Sequence, residues 1–227
     1  MKILIVSATK LEIYPLLDEL TVAGALNAQW NEYVYRDHEI KFLISGIGSS
    51  LTSYSLTREL KEGNYDLVLN VGIAGSFHRE TKIGEVLAVK QELFSDLGVE
   101  SEEGFHSVFE LDLMKSNDHP FEQGRLNAPS QDSRVHTLSQ LKQVVGITVN
   151  TITGRKETVE SLISACHPDI ETMEGAAVFY VCLMENIPFA GIRAISNYVG
   201  EREKSQWNIP LATSNLATEL INILNNL

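Results

Sequence analysis

The chain has 227 residues, of which 44% are hydrophobic and 21% are charged, a composition typical of a globular protein. Thirty Asp and Glu residues oppose eighteen Lys and Arg residues, so the formal net charge at pH 7 is -12. Such a chain repels the phosphates of nucleic acids and of anionic membranes, and no basic patch in the sequence compensates for this. We therefore expect neither a nucleic acid nor a membrane as a partner.

The sequence also indicates the compartment. The apolar run from Met1 to Ala8 is too short for a signal peptide, and no apolar run is long enough to span a bilayer. Cys166 and Cys182 are not closely spaced, which favours reduced side chains that contribute to packing. We expect a cytoplasmic protein that folds as a single domain over residues 1–227.

Short apolar runs alternate with longer amphipathic ones, which predicts an α/β sheet with crossover helices. The first half has, in order, strand Lys2 to Ser7, helix Leu11 to Ala23, strands Tyr33 to Tyr35 and Ile40 to Ser45, helix Leu51 to Leu60, and strands Asp66 to Val71 and Val86 to Val89. The second half has strand Val144 to Val149, helices Lys156 to Cys166 and Gly175 to Met184, strand Phe189 to Ile195, and helix Leu211 to Leu227. Between the halves, residues 97–134 are polar and show no sustained period, which predicts an irregular excursion that is functional or lies at an interface.

Glycine or polar clusters follow several of the predicted strands. They are Ser7 to Glu12, Ser45 to Gly48, Gly72 to Ser76, Met173 to Gly175 and Arg193 to Asn197. Ligands of open α/β sheets bind beyond the carboxyl ends of the strands, so we expect these clusters to meet in one crevice.

The glycines do not match a known phosphate-binding motif. Gly46 and Gly48 lie between a strand and a helix, but Leu51 occupies the third glycine position of a dinucleotide fingerprint. The run from Gly72 to Gly75 has no Lys-Ser/Thr ending, so it is not a triphosphate loop either. A tight turn without a ligand and the backbone wall of a smaller site both remain open.

Two carboxylates stand at the predicted starts of helices. Glu174 precedes the apolar run that begins at Ala176, and Glu12 opens the first helix. Either side chain could simply complement the helix dipole, and this alternative is stronger for Glu12. The six histidines form no metal-ligand spacing and no Gly-x-Ser-x-Gly motif is present, so we expect no metal and no cofactor.

Together these clusters resemble the purine nucleoside phosphorylase and nucleosidase family over nearly the whole chain. The residues that carry the resemblance are Ile3 to Ala8 with Glu12, Ser45 to Gly48, Asn70 to Gly75, Glu171 to Ala176 and Arg193 to Asn197. The resemblance implies a single-domain, three-layer α/β/α sandwich around a mixed central sheet. It also implies a small nucleoside as the substrate, and a homo-oligomer, a dimer or tetramer, in which a partner subunit often completes the site.

The family assigns roles to matching residues. Glu174 would accept hydrogen bonds from the ribose hydroxyls and stabilise positive charge on the sugar, and Met173 would pack against the ribose. The resemblance also implies that Arg193 and Ser76 lie near the reaction centre. By the same resemblance, Ile152 falls where the backbone contacts the purine, and Phe105 enters the site of a neighbouring subunit.

Within the family, hydrolysis is favoured over phosphorolysis. The phosphorylases hold phosphate with arginines, but Asn70 occupies one of those places and residues 7–17 contain no arginine. Glu12 instead matches the glutamate with which the nucleosidases position and deprotonate water.

The residue at position 197 bears on the base. Nucleosidases of methylthioadenosine and adenosylhomocysteine have an aspartate there, whereas the Asn197 amide donates well to a purine 6-oxo oxygen and to N7. Together with the motifs Glu171 to Ala177, Ile195 to Val199 and Thr148 to Thr151, this implies release of hypoxanthine from a nucleoside that carries a benzoate. Another purine nucleoside and a non-catalytic nucleoside-binding module remain alternatives. Candidates to hold the benzoate are Arg79, Arg125, His106 and Arg202.

Overall fold

The apolar runs of the sequence form strands and the longer segments form helices, in the predicted order. The computed structural model describes residues 1–102, 104–129, 140–200 and 207–227. Its strands are β1 (Lys2–Ser7), β2 (Leu26–Gln29), β3 (Glu32–Tyr35), β4 (His38–Ile44), β5 (Leu67–Ser76), β6 (Val86–Phe94), β7 (Gly98–Ser101), β8 (Gly104–Ser107), β9 (Leu126–Asn127), β10 (Gln143–Thr148), β11 (Ile170–Thr172) and β12 (Phe189–Tyr198). Its helices are α1 (Lys10–Val22), α2 (Ser49–Glu62), α3 (Lys156–Cys166), α4 (Gly175–Met184) and α5 (Ile209–Asn225).

The central sheet is mixed, as expected. It has ten strands, in the order β11-β10-β6-β12-β5-β1-β4-β3-β2, with β9 added beside β6. Strand β12 runs parallel to β5 and antiparallel to β6, and β10 runs parallel to β6. Strand β11 pairs with both β10 and β5, so five strands curve until the first meets the last. This curvature brings the ends of β5, β11 and β12 together.

Side-chain alternation along the strands produces three layers. In β1, Ile3 and Ile5 pack on the face covered by α1 and α5, whereas Leu4 and Val6 pack on the face covered by α2 and α4. All four side chains are buried, and full burial of an aliphatic side chain contributes about 1.5–3 kcal/mol. The fold is therefore the predicted α/β/α sandwich.

Strand β6 runs to Phe94, past its predicted end at Val89, and two other strands extend into predicted loops. We expected β5 to end at Val71 and β12 at Ile195, with the glycine and polar clusters in the following loops, but β5 continues to Ser76 and β12 to Tyr198. Glycines and polar side chains normally indicate a turn. Here the two strands stay paired with each other, so the polar residues lie on strand backbone and are held more rigidly than in a loop.

The excursion around 97–134 is less irregular than expected. Strands β7 and β8 form a short antiparallel hairpin, and β9 pairs with β6. Every residue of β7 is exposed, so the hairpin has no buried face that would produce an apolar period. Residues 130–134 of the excursion lie outside the described part of the chain.

Both cysteines are free thiols, as predicted, with Cys182 buried and Cys166 partly buried. Within the described ranges, no helix combines the length and the apolar content needed to cross a membrane.

Candidate active site

Glu12 is held between the first helix and the central sheet. Its Oε2 accepts hydrogen bonds from Ser7 Oγ at 3.0 Å and from the Thr9 amide and hydroxyl at 3.0 and 3.2 Å. Its Oε1 accepts from the backbone amide of Ile73 on β5 at 3.1 Å. The bond to Thr9 is half of a capping box, so the helix-start interpretation is partly right. The hydrogen bond from Ile73 N is not part of the helix cap, and it holds the carboxylate against the sheet.

Gly72 makes room for this carboxylate. A Cβ at position 72 would lie 2.7 Å from Glu12 Oε1, closer than a side chain can approach. The sequence left a tight turn and the backbone wall of a ligand site open for these glycines, but at position 72 the missing side chain accommodates Glu12. Arg193 lies opposite Gly72 in the β5–β12 register, so Glu12 and Arg193 flank the same residue.

Glu174 is the N-cap residue of α4, but its carboxylate does not cap the helix. It makes no side-chain bond to its own helix, and Oε1 accepts instead from the backbone amide of Gly48 at 2.9 Å. The first amides of α4 are satisfied by two hydroxyls, since Gly175 N donates to Thr172 Oγ1 at 3.2 Å and Ala176 N to Thr148 Oγ1 at 2.7 Å. The carboxylate is thereby free to serve a site, and the helix-dipole explanation does not account for it.

The charges around Glu174 work in opposite directions. Burial raises the pKa of its carboxyl, and the nearby charge of Glu12 raises it further. The hydrogen bond from Gly48 and the charge of Arg193 partly oppose this rise in pKa. Arg193 is itself 2% exposed, and its Nη1 donates to the backbone oxygens of Asn70 at 2.8 Å and Ile192 at 3.0 Å. A buried cation therefore opposes the charge of Glu174, and it lies opposite the glycine that makes room for Glu12.

Asn197 is aimed by a β-bulge. Ile195 pairs with Ala74 and Asn197 with Gly75, which leaves Ser196 as the extra residue of β12. The Ser196 hydroxyl donates to Asn197 Oδ1 at 2.7 Å, which fills one of the two acceptor positions of that oxygen and fixes the orientation of the amide. The donor end, Nδ2, lies beside Gly75, where a Cβ would approach it to 3.2 Å, and it donates to the Tyr198 backbone oxygen at 3.1 Å.

Comparison with known proteins agrees with this arrangement. A sequence model described as the phosphorylase superfamily matches residues 2–225. The chain belongs to this superfamily.

Named relatives within the superfamily are nucleosidases. The chain is 27% identical to a futalosine hydrolase of Thermus thermophilus over 81% of this chain and 80% of the relative. It is 26% identical to a 5'-methylthioadenosine/S-adenosylhomocysteine nucleosidase of Bacillus pumilus over 88% of this chain and 87% of the relative. A crystal structure of the Helicobacter pylori enzyme with that second name, in complex with a nucleoside analogue, superposes with a TM-score of 0.80 at 23% identity, covering 100% of this chain and 99% of that one.

A second group of candidate residues lies beside Asn197. Strand β11 pairs with the end of β5, with Glu171 opposite Gly75 and Ile170 opposite Ser76. Asn197 of β12 pairs with the same Gly75 from the other side, so Ser76 and Asn197 lie at one end of the crevice. Thr153 N donates to the buried Glu171 carboxylate at 3.0 Å, which ties down the loop that carries Ile152. Met173 is partly buried and directly precedes Glu174. Ser76 and Asn197 therefore lie together, Ile152 adjoins the loop residue bonded to Glu171, and Met173 adjoins Glu174.

Phe105 is separated from the carboxylates. It lies on β8, is 39% exposed, and lines a cavity of about 980 Å³ together with Ile152, Arg125 and residues of α3. Among the described residues that line this cavity, none of the catalytic candidates is found. Phe105 therefore shares this cavity with Ile152, and its entry into a neighbouring subunit stays a prediction.

The candidates for the benzoate are scattered. Arg79 stacks on the Tyr198 ring at 4.7 Å, Arg125 Nη1 donates to Gln91 at 2.7 Å, and His106 lies on the β8 hairpin strand. Arg202 lies outside the described residues.

Sequence analysis missed Glu92, a fully buried carboxylate beside the site. Strand β6 has a bulge at Lys90, because Val89 pairs with Val144 and Gln91 with Val145. Simple alternation places Glu92 on the same face as the exposed Lys90, but the bulge turns it inward. Burial raises the pKa of its carboxyl to about 7, and the charge of Arg193 opposes this rise.

Proposed function

We propose that this enzyme hydrolyses the N-ribosidic bond of futalosine and releases hypoxanthine and dehypoxanthine futalosine, a reaction of menaquinone biosynthesis. The relatives of this chain are nucleosidases, which are N-glycosyl hydrolases, and the chain is an enzyme of the same class. The assignment of futalosine rests on three steps: the attacking group, the stabilisation of the sugar and the recognition of the base.

The surroundings of Glu12 support water as the attacking group. Its Oε2 already accepts three hydrogen bonds, whereas Oε1 accepts one and keeps a free acceptor position for a water molecule. Phosphate would need cationic partners in the same place. The residue there is Asn70, and Arg193 already donates to the backbone oxygens of Asn70 and Ile192.

Glu174 supports cleavage at the sugar. As the bond to the base breaks, the ribose acquires positive charge, and a desolvated carboxylate stabilises that charge more than it stabilises the neutral substrate. The position of Glu174 Oε1 is fixed by Gly48 N, so the charge is in place before the reaction.

The single observation that carries the choice of base is the hydrogen bond from Ser196 Oγ to Asn197 Oδ1. The Ser196 hydroxyl orients the amide, and the Nδ2 hydrogen that is not bonded to the Tyr198 oxygen can donate to the 6-oxo oxygen or to N7 of hypoxanthine. The 6-amino group of adenine needs an acceptor at this place instead.

We further propose that Phe105 reaches the site of a second subunit in a homo-oligomer, a dimer or tetramer. Its exposure on the β8 hairpin and its separation from Glu12 and Glu174 in the same chain support this arrangement. Ser76, Ile152, Met173 and Arg193 complete the substrate-binding residues.

A second candidate function is hydrolysis of methylthioadenosine or adenosylhomocysteine. It is favoured by the relative with that name, which is as similar to this chain as the futalosine hydrolase and covers more of it. Asn197 is the observation against it.

One assay separates these functions. Purified protein is incubated with futalosine, inosine or methylthioadenosine, each with and without phosphate, and the free base is quantified. We expect phosphate-independent release of hypoxanthine from futalosine at a rate well above that for the other two nucleosides. Release that requires phosphate contradicts hydrolysis, preference for methylthioadenosine favours the second candidate, and no release at all indicates a nucleoside-binding module.

Asn197→Asp is expected to shift the preference from hypoxanthine-bearing to adenine-bearing nucleosides. A carboxylic acid can protonate N7 and its carboxylate can accept from the 6-amino group, but an ionised carboxylate has no hydrogen to donate to a 6-oxo oxygen. The measured quantity is the ratio of kcat/KM for futalosine to kcat/KM for its 6-amino counterpart. We expect this ratio to fall by about tenfold or more, which is the effect of one hydrogen bond to a charged group. An unchanged ratio contradicts the role given to Asn197.

A further inference from the structure

Glu92 is a carboxylate that the reaction described above does not use. Its side chain is 0% exposed, and Gly146 on β10 lies directly opposite it in the sheet. A Cβ at Gly146 or at Gly175 would collide with Glu92 Oε1. Two glycines thus form a cavity that fits this one carboxyl group, against the first residue of α4.

The two oxygens of Glu92 are in different situations. Oε2 accepts a hydrogen bond from Thr148 Oγ1 at 3.0 Å, and the same hydroxyl accepts from Ala176 N in the first turn of α4. Oε1 accepts no hydrogen bond from any residue that the structure describes, although the Thr172 hydroxyl lies near enough to oppose the rise in the pKa of the carboxyl. A buried, charged oxygen without a partner is costly, whereas a neutral carboxyl group tolerates this position much better.

The charges that face Glu92 come from two elements. Arg193 faces it from β12 and Glu174 from the start of α4, while β10 and β11 contribute the hydroxyls of Thr148 and Thr172. Arg193 is thus the cation available to two carboxylates. If both are ionised, they compete for it, and if Glu92 is neutral, Arg193 is left to Glu174.

We propose that Glu92 is a positioning residue that works as a neutral acid, securing the first turn of α4 through Thr148 and leaving the Arg193 charge to Glu174. When Glu92 ionises, its unpartnered Oε1 attracts the nearby amides of Gly175 and Ala176 out of their present bonds and displaces Glu174. The proton involved exchanges with solvent and is not consumed in the reaction. Burial raises the pKa of Glu92 to about 7, so this ionisation falls within the working range of pH.

The kinetic test rests on the proposed function and compares the pH dependence of kcat/KM for futalosine in the wild type and in Glu92→Gln. Glutamine keeps the shape of the neutral acid and cannot ionise. We expect kcat/KM of the wild type to fall at least about fivefold between pH 6 and pH 8.5, because Glu92 ionises in that range. Glu92→Gln is expected to keep its pH 6 value at pH 8.5 within about twofold. The same alkaline loss in both proteins, or an equal loss at every pH in the variant, overturns the proposal.

A second measurement needs no substrate. Infrared difference spectra of the wild type between pH 6 and pH 8.5 are expected to show the C=O band of a protonated carboxyl that disappears as the pH rises. The band is expected to be missing from Glu92→Gln and to remain in the control Glu171→Gln, which removes another buried carboxyl that does not face Arg193. If the wild type cleaves no nucleoside, the proposed function fails but this spectrum still tests Glu92. A wild-type spectrum without a titrating carboxyl band, or a band unchanged in Glu92→Gln, refutes the neutral acid.

Discussion

Glu12→Gln is expected to lower kcat for futalosine by about 10² to 10⁴, the usual contribution of a positioned general base. The carboxylate at this place has one free acceptor position, on Oε1, and a negative charge with which to take a proton from water. Glutamine has one acceptor oxygen, which can still accept from the Thr9 amide, but its NH2 group cannot take the proton from water. The measurement is steady-state kcat and KM with hypoxanthine release as the signal.

The fold should survive this change, which makes the result interpretable. Glutamine keeps the capping box when its oxygen takes the place of Oε2, so α1 keeps its first turn and only the hydrogen bond from Ile73 N is lost. Thermal unfolding checks this. The matched control is Asp18→Asn, which removes a carboxylate from the exposed side of the same helix and should leave kcat unchanged. If Glu12→Gln retained a rate within threefold of the wild type, the role of Glu12 as the base would be wrong.

Three elements begin and end at the predicted residues: β1 (Lys2–Ser7), α3 (Lys156–Cys166) and α4 (Gly175–Met184). α3 has no buried residue, and its bounds were predicted all the same. β1 and most of α4 are buried, so nearly every residue is apolar and the polar flanks define the ends. The carboxylates Glu12 and Glu174 were found for the same reason, because each stands where such a segment meets its polar flank.

The elements that were mispredicted contain polar residues inside strands. The ends of β5 and β12 carry Gly72 to Ser76 and Arg193 to Asn197, which resemble turns in a single sequence. Their strand conformation depends on pairing across more than a hundred residues of sequence. A local sequence pattern cannot predict pairing between two strands that are so far apart in the sequence.

Two β-bulges prevent the remaining site residues from being predicted by strand alternation. The extra residues at Lys90 and Ser196 invert the alternation of β6 and β12, so that Glu92 and Asn197 both point inward. Asn197 was still found, because its motif resembles that of the family. Glu92 has no such motif, and its cavity is formed by Gly146 and Gly175, which are far away in the sequence. Only the three-dimensional arrangement shows why those positions are glycines.

Glu174→Gln is expected to lower kcat by about 10² to 10³. This is the loss that follows removal of one preorganised electrostatic group in other enzymes. The KM should change much less, because an amide oxygen can still accept a hydrogen bond from a ribose hydroxyl. The two effects separate because the charge matters most when the sugar becomes positive. Steady-state kinetics with futalosine measure both parameters.

The pH dependence gives a second readout of the same residue. Burial raises the pKa of Glu174, so lowering the pH through that pKa protonates the carboxylate and removes its charge. The wild type should therefore lose kcat on the acid side at a higher pH than an exposed glutamate would cause, and Glu174→Gln should lack this limb. An acid limb that persists unchanged in the variant contradicts the assignment to Glu174.

Stability separates a catalytic from a structural role for Glu174. The first amides of α4 are bound by Thr172 and Thr148, so Glu174→Gln should change the free energy of unfolding by less than about 1 kcal/mol. Thr148→Val is the contrasting variant, because it leaves Ala176 N and Glu92 without their shared partner and should cost about 1–3 kcal/mol. A loss of turnover in Glu174→Gln with the stability retained places the effect in the chemistry, since the helix that carries the residue is secured by other side chains.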